Sequence, residues 1–237
     1  MRPKAVLGLL IPLAFAALFV RLGVWQFSRH EERKAWNAAI ATRLAEAPAP
    51  FDALPADSGA VRGRRVSLAG RFRYDLEQVQ AGRVSEGSPG VHLLTPLERA
   101  GTDTLVVVVR GWVYSPDARQ VDRARWREAD SVALAGYALP LPADGAAPPA
   151  DSAAPLRVLT RAALQSRLGR PVSPVQVVMT SDSAARADSV PRRLGPPELG
   201  PGSHLSYAIQ WFAFATIAVA GGLLLFRRAL AAGRAAS

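Results

Sequence analysis

The sequence contains no cysteine, and its 237 residues include only three histidines. The lack of cysteine excludes disulfide bonds, thiolate metal sites, iron–sulfur clusters and a cysteine nucleophile. The histidines, His30, His92 and His204, lie far apart in the sequence, so a metal centre built from several of them is not expected. Chemistry that needs an imidazole would therefore depend on one histidine at a time.

Recognisable catalytic and phosphate-binding motifs are also missing. No Gly-rich loop is followed by the Lys-Ser/Thr pair of a phosphate-binding loop, and there is no Gly-x-Ser-x-Gly elbow. The net charge of +10 comes mainly from scattered arginines, without the basic block typical of a nucleic-acid-binding tail. The sequence therefore predicts neither an enzyme nor a nucleic-acid-binding protein, and its basic excess suits anionic lipid headgroups.

Two apolar runs predict membrane-spanning helices. Residues 5–27 carry one charge, Arg21, and Leu205–Phe226 carries none, so each run can cross a hydrocarbon core of about 30 Å. The first run could be a signal peptide, a mitochondrial presequence or an uncleaved anchor. Its length and poor cleavage sites favour an anchor in which Arg21 reaches the interface. We predict transmembrane helices at 5–27 and 204–226.

The charge pattern does not determine the orientation of these helices, because basic residues follow both runs and also precede them. Two crossings nevertheless place both termini on one side of the membrane and residues 28–203 on the other.

The middle region begins with a charged helix, Arg29–Glu46, in which Trp36, Ile40 and Leu44 recur every four residues and form a narrow apolar face. The pattern then becomes strand-like, with a predicted loop at 82–90 and one later helix, Thr160–Leu168, with Thr160 as its N-cap. A Pro- and Ala-rich stretch, 140–155, is interpreted as a low-complexity insertion. The predicted strands cover 66–70, 76–80, 91–97, 104–114, 131–139 and 174–179.

The hairpin-like spacing of these strands predicts an antiparallel sheet or small barrel rather than a parallel α/β sheet. The predicted fold class is a membrane-anchored α+β protein, in which two transmembrane helices flank the β-rich domain. Four consecutive valines, Val106–Val109, predict a strand buried on both faces. The Arg110-Gly-Trp112 that follows is typical of core packing at a bend, and a partner contact is the alternative.

Polar and aromatic residues cluster at the ends of the two predicted spans. On a helix Tyr207 lies about 60° from His204, and Trp211 lies about 20° from it. An aromatic belt at the membrane interface is one interpretation. The other is a haem site, because an imidazole can ligate iron, aromatic rings can flank a macrocycle and arginines can pair with propionates. A histidine hydrogen-bonded to the neighbouring span is the structural alternative. The candidate haem-binding residues are His204, Tyr207, Trp211, Trp25 and Arg29.

Four short motifs resemble the surfeit-locus family of cytochrome c oxidase assembly factors. The first is Leu22-Gly-Val-Trp-Gln followed by Arg29, and the second is Val66-x-x-x-Gly70-x-Phe72 with Gly90-Val-His-Leu-Leu-Thr-Pro-Leu97. The third is Val109-Arg-Gly-Trp-Val113, and the fourth is His204-Leu-x-Tyr-Ala-x-Gln-Trp-Phe212. The motifs follow the order that they have in the family.

The resemblance implies a role in maturing haem–copper oxidase, around insertion of haem a into subunit I, with His204 as the haem iron ligand. A cofactor-free scaffold for an oxidase assembly intermediate is the alternative function. The resemblance also implies a bacterial inner membrane protein with both termini cytoplasmic and the middle domain extracytoplasmic. The expected partners are cytochrome c oxidase subunit I, haem a synthase and membrane lipid, without nucleic acid.

Overall fold

A computed structural model describes residues 3–143, 154–180 and 190–235, which form two compact units. The helical unit comprises residues 1–39 and 199–237, and the barrel unit comprises residues 40–198. Most of the predicted insertion 140–155 lies outside the described residues. The helices are α1 Pro3–Ala45, α2 Ser58–Val61, α3 Arg161–Leu168 and α4 His204–Ala235.

Two of the helices, α1 and α4, are long and apolar enough to cross a membrane, over Leu9–Ala45 and His204–Ala232. Their surfaces carry many exposed large apolar side chains, such as Phe15, Ile217 and Leu224, which suit contact with lipid rather than water. The chain is therefore a membrane protein. The helix predicted from Arg29 to Glu46 is the continuation of α1 rather than a separate element.

The barrel unit contains a seven-stranded sheet in which both parallel and antiparallel pairs occur. Strand β2 pairs with both β6 and β4, so β2, β6, β7, β5 and β4 form a closed ring, and β1 and β3 extend it. Closure removes the open edges that a flat sheet of these strands would expose. The strands are β1 Ala49–Pro50, β2 Arg65–Phe72, β3 Gln78–Ser85, β4 Ser88–Glu98, β5 Val106–Tyr114, β6 Ser131–Pro140 and β7 Val175–Met179.

The valine run of β5 is buried on both faces, as its sequence predicts. Val106 and Val108 belong to an apolar cluster to which all the ring strands contribute, so this cluster fills the barrel interior. Val107 and Val109 belong to a second cluster, which includes residues of α3. The N-cap prediction is also confirmed, because the Thr160 hydroxyl accepts the Ala163 N–H at 3.2 Å.

The predicted membrane-anchored α+β class is confirmed, while several local predictions need correction. The predicted loop 82–90 is wrong, because β3 and β4 form a hairpin across most of it with a turn at Glu86–Gly87. Both turn residues have positive φ, which suits a two-residue hairpin. The sheet is mixed rather than purely antiparallel, since β1 runs parallel to β2 and β5 runs parallel to β7. Parallel pairs need long connections, which strand spacing alone does not reveal.

Candidate functional site

Helices α1 and α4 pack along a seam whose residues are spaced alternately by three and four. This heptad-like spacing keeps one stripe of each helix facing the other. The seam consists mainly of small or aromatic residues, and Ala16, Ala208 and Ala215 are almost fully buried in it. On α1 the seam runs through Ala16, Phe19, Gly23 and Gln26, and on α4 through His204, Ala208, Trp211, Ala215 and Gly222.

Glycines allow the two helices to approach closely at two levels of the seam. A Cβ added at Gly23 would lie 2.8 Å from the Phe212 ring, and one added at Gly222 would lie 2.8 Å from Pro12. Such distances leave no room for a larger side chain unless the helices separate. Small residues at helix contacts are the usual means of tight packing in membranes, where dispersion replaces the hydrophobic effect.

Three aromatic rings contact one another beside the seam, between these glycine levels. Phe19 stacks on Trp211 with ring centroids 5.6 Å apart, and Phe214 contacts both rings at 5.9 Å. The rings therefore make their contacts with one another, which stabilises the helix pair beyond simple area burial.

His204 forms a polar contact with α1. Its Nδ1 lies 2.8 Å from Oε1 of Gln26. Because an amide oxygen can only accept, Nδ1 carries the proton in this contact, and a neutral imidazole then has its lone pair on Nε2. The geometry realises the structural alternative expected from the sequence, a histidine hydrogen-bonded to the neighbouring span. It also leaves Nε2 in the form that ligates metals.

The chain that leads into α4 is held against α1 by polar side chains. Arg33 Nε donates to the Gly200 carbonyl at 3.1 Å, and Asn37 donates to the same oxygen at 3.1 Å. Gly202, with φ of 70°, lies next to the Arg33 side chain, where a Cβ would come within 3.2 Å. These contacts fix the start of α4 and hence the level at which His204 meets Gln26.

The other predicted haem-binding residues occupy different positions. Trp211 lies in the seam, whereas Trp25 and Tyr207 are 51% and 47% exposed on the outer faces of their helices. Arg29 forms an exposed ion pair with Glu32 at 2.7 Å. The structure thus brings His204 and Trp211 to α1, but places Trp25, Tyr207 and Arg29 away from the seam. A haem role for all five stays a prediction.

Sequence reasoning named Gln26 at the end of the first span but gave it no role, and it missed Phe19 and Gly23. The alternating three-and-four spacing of small, aromatic and polar residues was the signal that could have identified the seam. Ile40 is buried while Trp36 is 50% exposed, although both lie on the predicted four-residue stripe, and the Ile40 side chain lies against Gly63 of the barrel unit. No group of three or more His, Asp or Glu side chains that could hold a metal ion occurs in the described ranges.

The Arg110-Gly-Trp112 motif of the barrel unit forms a buried ionic network. The register between β4 and β5 shifts by one residue at Arg110, and Arg110 follows Val106 and Val108 on the interior side of β5. Arg110 is fully buried, and it donates to Glu77 at 2.6 Å, to Glu128 at 2.8 Å and to Thr95 at 2.7 Å. Burial opposes ionisation of Glu128, but the hydrogen bonds and charges of Arg193 and Arg110 outweigh it, so its pKa is lowered.

The segment 190–195, which we call the clasp, closes over this network. The Trp112 and Arg192 backbones exchange two hydrogen bonds, and Arg193 pairs with Glu128. Gly111 is required at this contact, because a Cβ there would lie 2.5 Å from the Arg192 carbonyl oxygen. The interpretation of the motif as core packing agrees with these contacts.

Comparison with known proteins identifies the family. The family model for the SURF1 family matches residues 13–216. A SURF1-like protein of Monosiga brevicollis is 29% identical over 125 residues, which cover 48% of each chain. The cytochrome oxidase assembly protein SHY1 of Saccharomyces cerevisiae is 31% identical over 124 residues, 50% of this chain and 31% of the yeast protein. An uncharacterized SURF1-like protein of Mycobacterium tuberculosis is 27% identical over 241 residues, 93% of this chain and 83% of that protein.

The matched region spans about half the length of the Monosiga relative and about a third of the yeast protein. The family match, in contrast, includes most of α1, the whole barrel unit and the first half of α4. On this evidence the chain belongs to the SURF1 family.

Proposed function

We propose that this protein is an assembly factor for cytochrome c oxidase and that it presents haem a through His204 for insertion into subunit I. Membership of the SURF1 family and the name of the yeast relative support the oxidase assembly role. The observation that supports the haem role is the hydrogen bond from His204 Nδ1 to Gln26, because it leaves the Nε2 lone pair available.

The helical unit suits a haem whose iron has one protein ligand, His204. Haem a would supply an iron, and the neutral imidazole of His204 would be the side chain that ligates it. The hydrogen bond to Gln26 fixes the orientation and the tautomer of the His204 ring, and the packing of the seam residues fixes the position of α4 along α1. Arg29 pairs with Glu32 in an exposed ion pair, which is weak enough to exchange for a propionate.

Absorption spectra of the protein purified from cells that make haem a test this proposal. We expect a haem spectrum for the native protein and its loss in His204→Ala. His30→Ala is the matched control, because His30 lies in the same helical unit, in α1. The spectrum of this variant should equal that of the native protein. Absence of haem from the native protein, or equal haem in His204→Ala, would refute the haem role and leave the assembly role standing.

A cofactor-free scaffold is the second candidate function, and the position of His204 within the seam favours it. A polar residue in an otherwise apolar seam can set the register of two helices. Trp25 and Tyr207 then offer exposed aromatic surface to neighbouring membrane helices. In this case His204→Asn, which can still hydrogen-bond Gln26, should restore oxidase activity in a deletion strain. Loss of oxidase activity despite normal protein levels would favour the haem role instead.

The proposed topology places both termini in the cytoplasm and the barrel unit outside, with lipid, subunit I and haem a synthase as partners. The absence of cysteine makes this easy to test by single-cysteine labelling. In intact spheroplasts a membrane-impermeant maleimide should label Val158→Cys, which replaces a side chain that is 70% exposed in the barrel unit. It should label Ala232→Cys near the end of α4 only after lysis. The reverse pattern would overturn the proposed orientation.

A further inference from the structure

Arg83 in β3 differs from the ion-paired arginines of the barrel unit. Its Nε atom is shielded from solvent and has no hydrogen-bond partner, and within the described part of the chain its side chain has no carboxylate partner. Burial lowers the pKa of Arg83, and no acid among the described residues offsets this loss of water. Arg110 and Arg193, which are more deeply buried, are both matched by glutamates. A half-buried guanidinium without an anion costs free energy that an incoming carboxylate could recover.

The strand register shows which residues surround Arg83. Arg83 pairs with Gly90 and Gly90 pairs with Tyr114, while His92, two residues further along β4, pairs with Trp112. Directly paired residues, and residues two apart on a strand, lie on the same face of the sheet. The Trp112 indole lies across Gly90 and donates through Nε1 to the Arg83 carbonyl at 3.2 Å, so it fixes the Arg83 backbone.

The charge of Arg83, which is unmatched among the described residues, lies near a polar donor, His92, and near the apolar surface of Tyr114. Burial, followed by the charge of Arg83, lowers the pKa of His92 to about 4, so at neutral pH its ring is uncharged and offers one N–H. Tyr114 is 57% exposed on this face, and Val84 is 71% exposed on the opposite face of the hairpin. The nearby Arg192 is already paired with Glu86.

The edge of β3 next to Arg83 favours a peptide over a free anion. Ser85 and Ser88 close the two-residue turn, and hydrogen-bonded and non-bonded pairs alternate along an antiparallel hairpin. Val84 therefore forms a non-bonded pair with Pro89, which has no N–H, and the Val84 peptide groups point away from β4. In the described ranges no other strand pairs with this end of β3. A short extended segment could add there by strand addition.

We propose that this face, formed by Arg83, His92 and Tyr114, binds an acidic side chain of an extended partner segment that adds to the β3 edge and carries apolar residues next to the acid. The carboxylate pairs with the Arg83 guanidinium, and the apolar side chains on either side of it point to the opposite face, where they contact Val84. This binding is independent of haem and of the helical unit.

Two fluorescein-labelled peptides test the proposal, one with the sequence Gly-Val-Glu-Val-Gly and one with glutamine in place of glutamate. Fluorescence anisotropy is measured with the full chain in detergent. We expect the glutamate peptide to bind about tenfold more tightly than the glutamine peptide, because it forms a charge-assisted hydrogen bond with Arg83. Arg83→Gln should remove this preference and Arg83→Lys should keep part of it. Arg119→Gln, a change of an exposed arginine in the same unit, is the matched control and should leave the preference intact.

A second variant keeps the test decisive if Arg83→Gln does not fold. Val84→Pro removes a peptide N–H that points away from β4 and replaces a side chain that is 71% exposed, so it should leave the β3–β4 pairing unchanged while weakening the binding of both peptides. Equal binding of the two peptides to the native protein would overturn the proposal. Survival of the preference in a folded Arg83→Gln, or undiminished binding to Val84→Pro, would also overturn it. Displacement by free acetate at the peptide's own concentration would show a small-anion site and contradict the peptide assignment.

Discussion

The barrel unit and the helical unit each join distant parts of the chain through polar groups, but in different chemical forms. The barrel buries a network of charged groups in which Arg110 is matched by Glu77 and Glu128. The helical unit instead contains a part-buried, neutral hydrogen bond between His204 and Gln26, at one end of a seam of aromatic and small residues. A buried charge becomes costly once a partner is lost, whereas a neutral pair in a membrane contributes little and leaves its groups available. The buried network therefore stabilises the barrel, whereas the role of the His204–Gln26 pair stays a proposal.

Arg110→Met is the substitution with the largest expected effect on stability in this comparison. It would leave Glu77 buried and without its cation, so we expect a loss of about 3–5 kcal/mol in the free energy of unfolding of the barrel. Denaturant unfolding followed by near-ultraviolet circular dichroism measures this loss. The double variant Arg110→Met/Glu77→Leu should recover part of it, because the stranded charge is removed. An unchanged stability in the single variant would contradict the structural role of the network.

Gly111→Ala tests the clasp that covers the network. The added Cβ would lie 2.5 Å from the Arg192 carbonyl, so the clasp must move, at a cost of about 1–3 kcal/mol. Limited digestion with trypsin should then cut earlier at Arg192 and Arg193 than in the native protein. Gly195→Ala is the matched control, since no atom lies within 4 Å of the position of its Cβ. Equal digestion of both variants would show that the clasp is not held at Gly111.

A double-mutant cycle on Gln26 and His204 measures the neutral pair of the helical unit. Changing each residue to alanine, singly and together, should give a coupling energy of about 0.5–1.5 kcal/mol, because hydrogen bonds between membrane helices contribute little on average. Unfolding of the helices in mixed micelles provides the measurement. The barrel transition should stay unchanged in all three variants. A coupling energy as large as the effect of Arg110→Met would remove the distinction between the two units.

The smallest effect expected near neutral pH concerns His92 of the barrel unit. Its pKa is lowered to about 4 in the folded protein, compared with about 6.5 when unfolded. The unfolded state therefore binds more protons between these values, and this contribution to stability is lost as the pH falls from about 6.5 to about 4. Denaturant midpoints at pH 7, 5.5 and 4.5 should fall less steeply in His92→Asn than in the native protein. Parallel pH profiles would show that His92 is not held neutral.

The periodicity of apolar residues and the composition predicted the positions of helices and strands better than they predicted which strands pair. The strand of Val106–Val109 and the Thr160 cap follow from local patterns, because valine runs and hydroxyl caps act within a few residues. The bulge at Arg110 is different, because a pairing shift between distant strands leaves no local pattern. The hairpin at 82–90 is predicted as a loop because its Gly, Ser and Pro residues are also typical of loops.

Part of the geometry around the candidate residues follows from the sequence. Helical geometry places His204 and Trp211 on one face of α4, and in the structure both contact α1. The small angular offset of Tyr207 was enough to place it outside the seam, since the seam follows a strict alternation of three and four residues. The pairing of His204 with Gln26 depends on how far α1 is shifted along α4. That shift is set by Arg33 and Asn37 holding the chain before α4, and no local pattern reports it.

The position of β7 in the ring has a consequence for biosynthesis. This late strand lies between β5 and β6, so the barrel cannot close until the chain has been made through Met179. The clasp is translated later still, and only then can Arg193 form its ion pair with Glu128. Until that point a nascent chain exposes unpaired edges on β5 and β6, which are sites for misassembly. The barrel is thus completed only shortly before the ribosome begins α4, so a chain that stalls in this interval should depend on chaperones or be degraded.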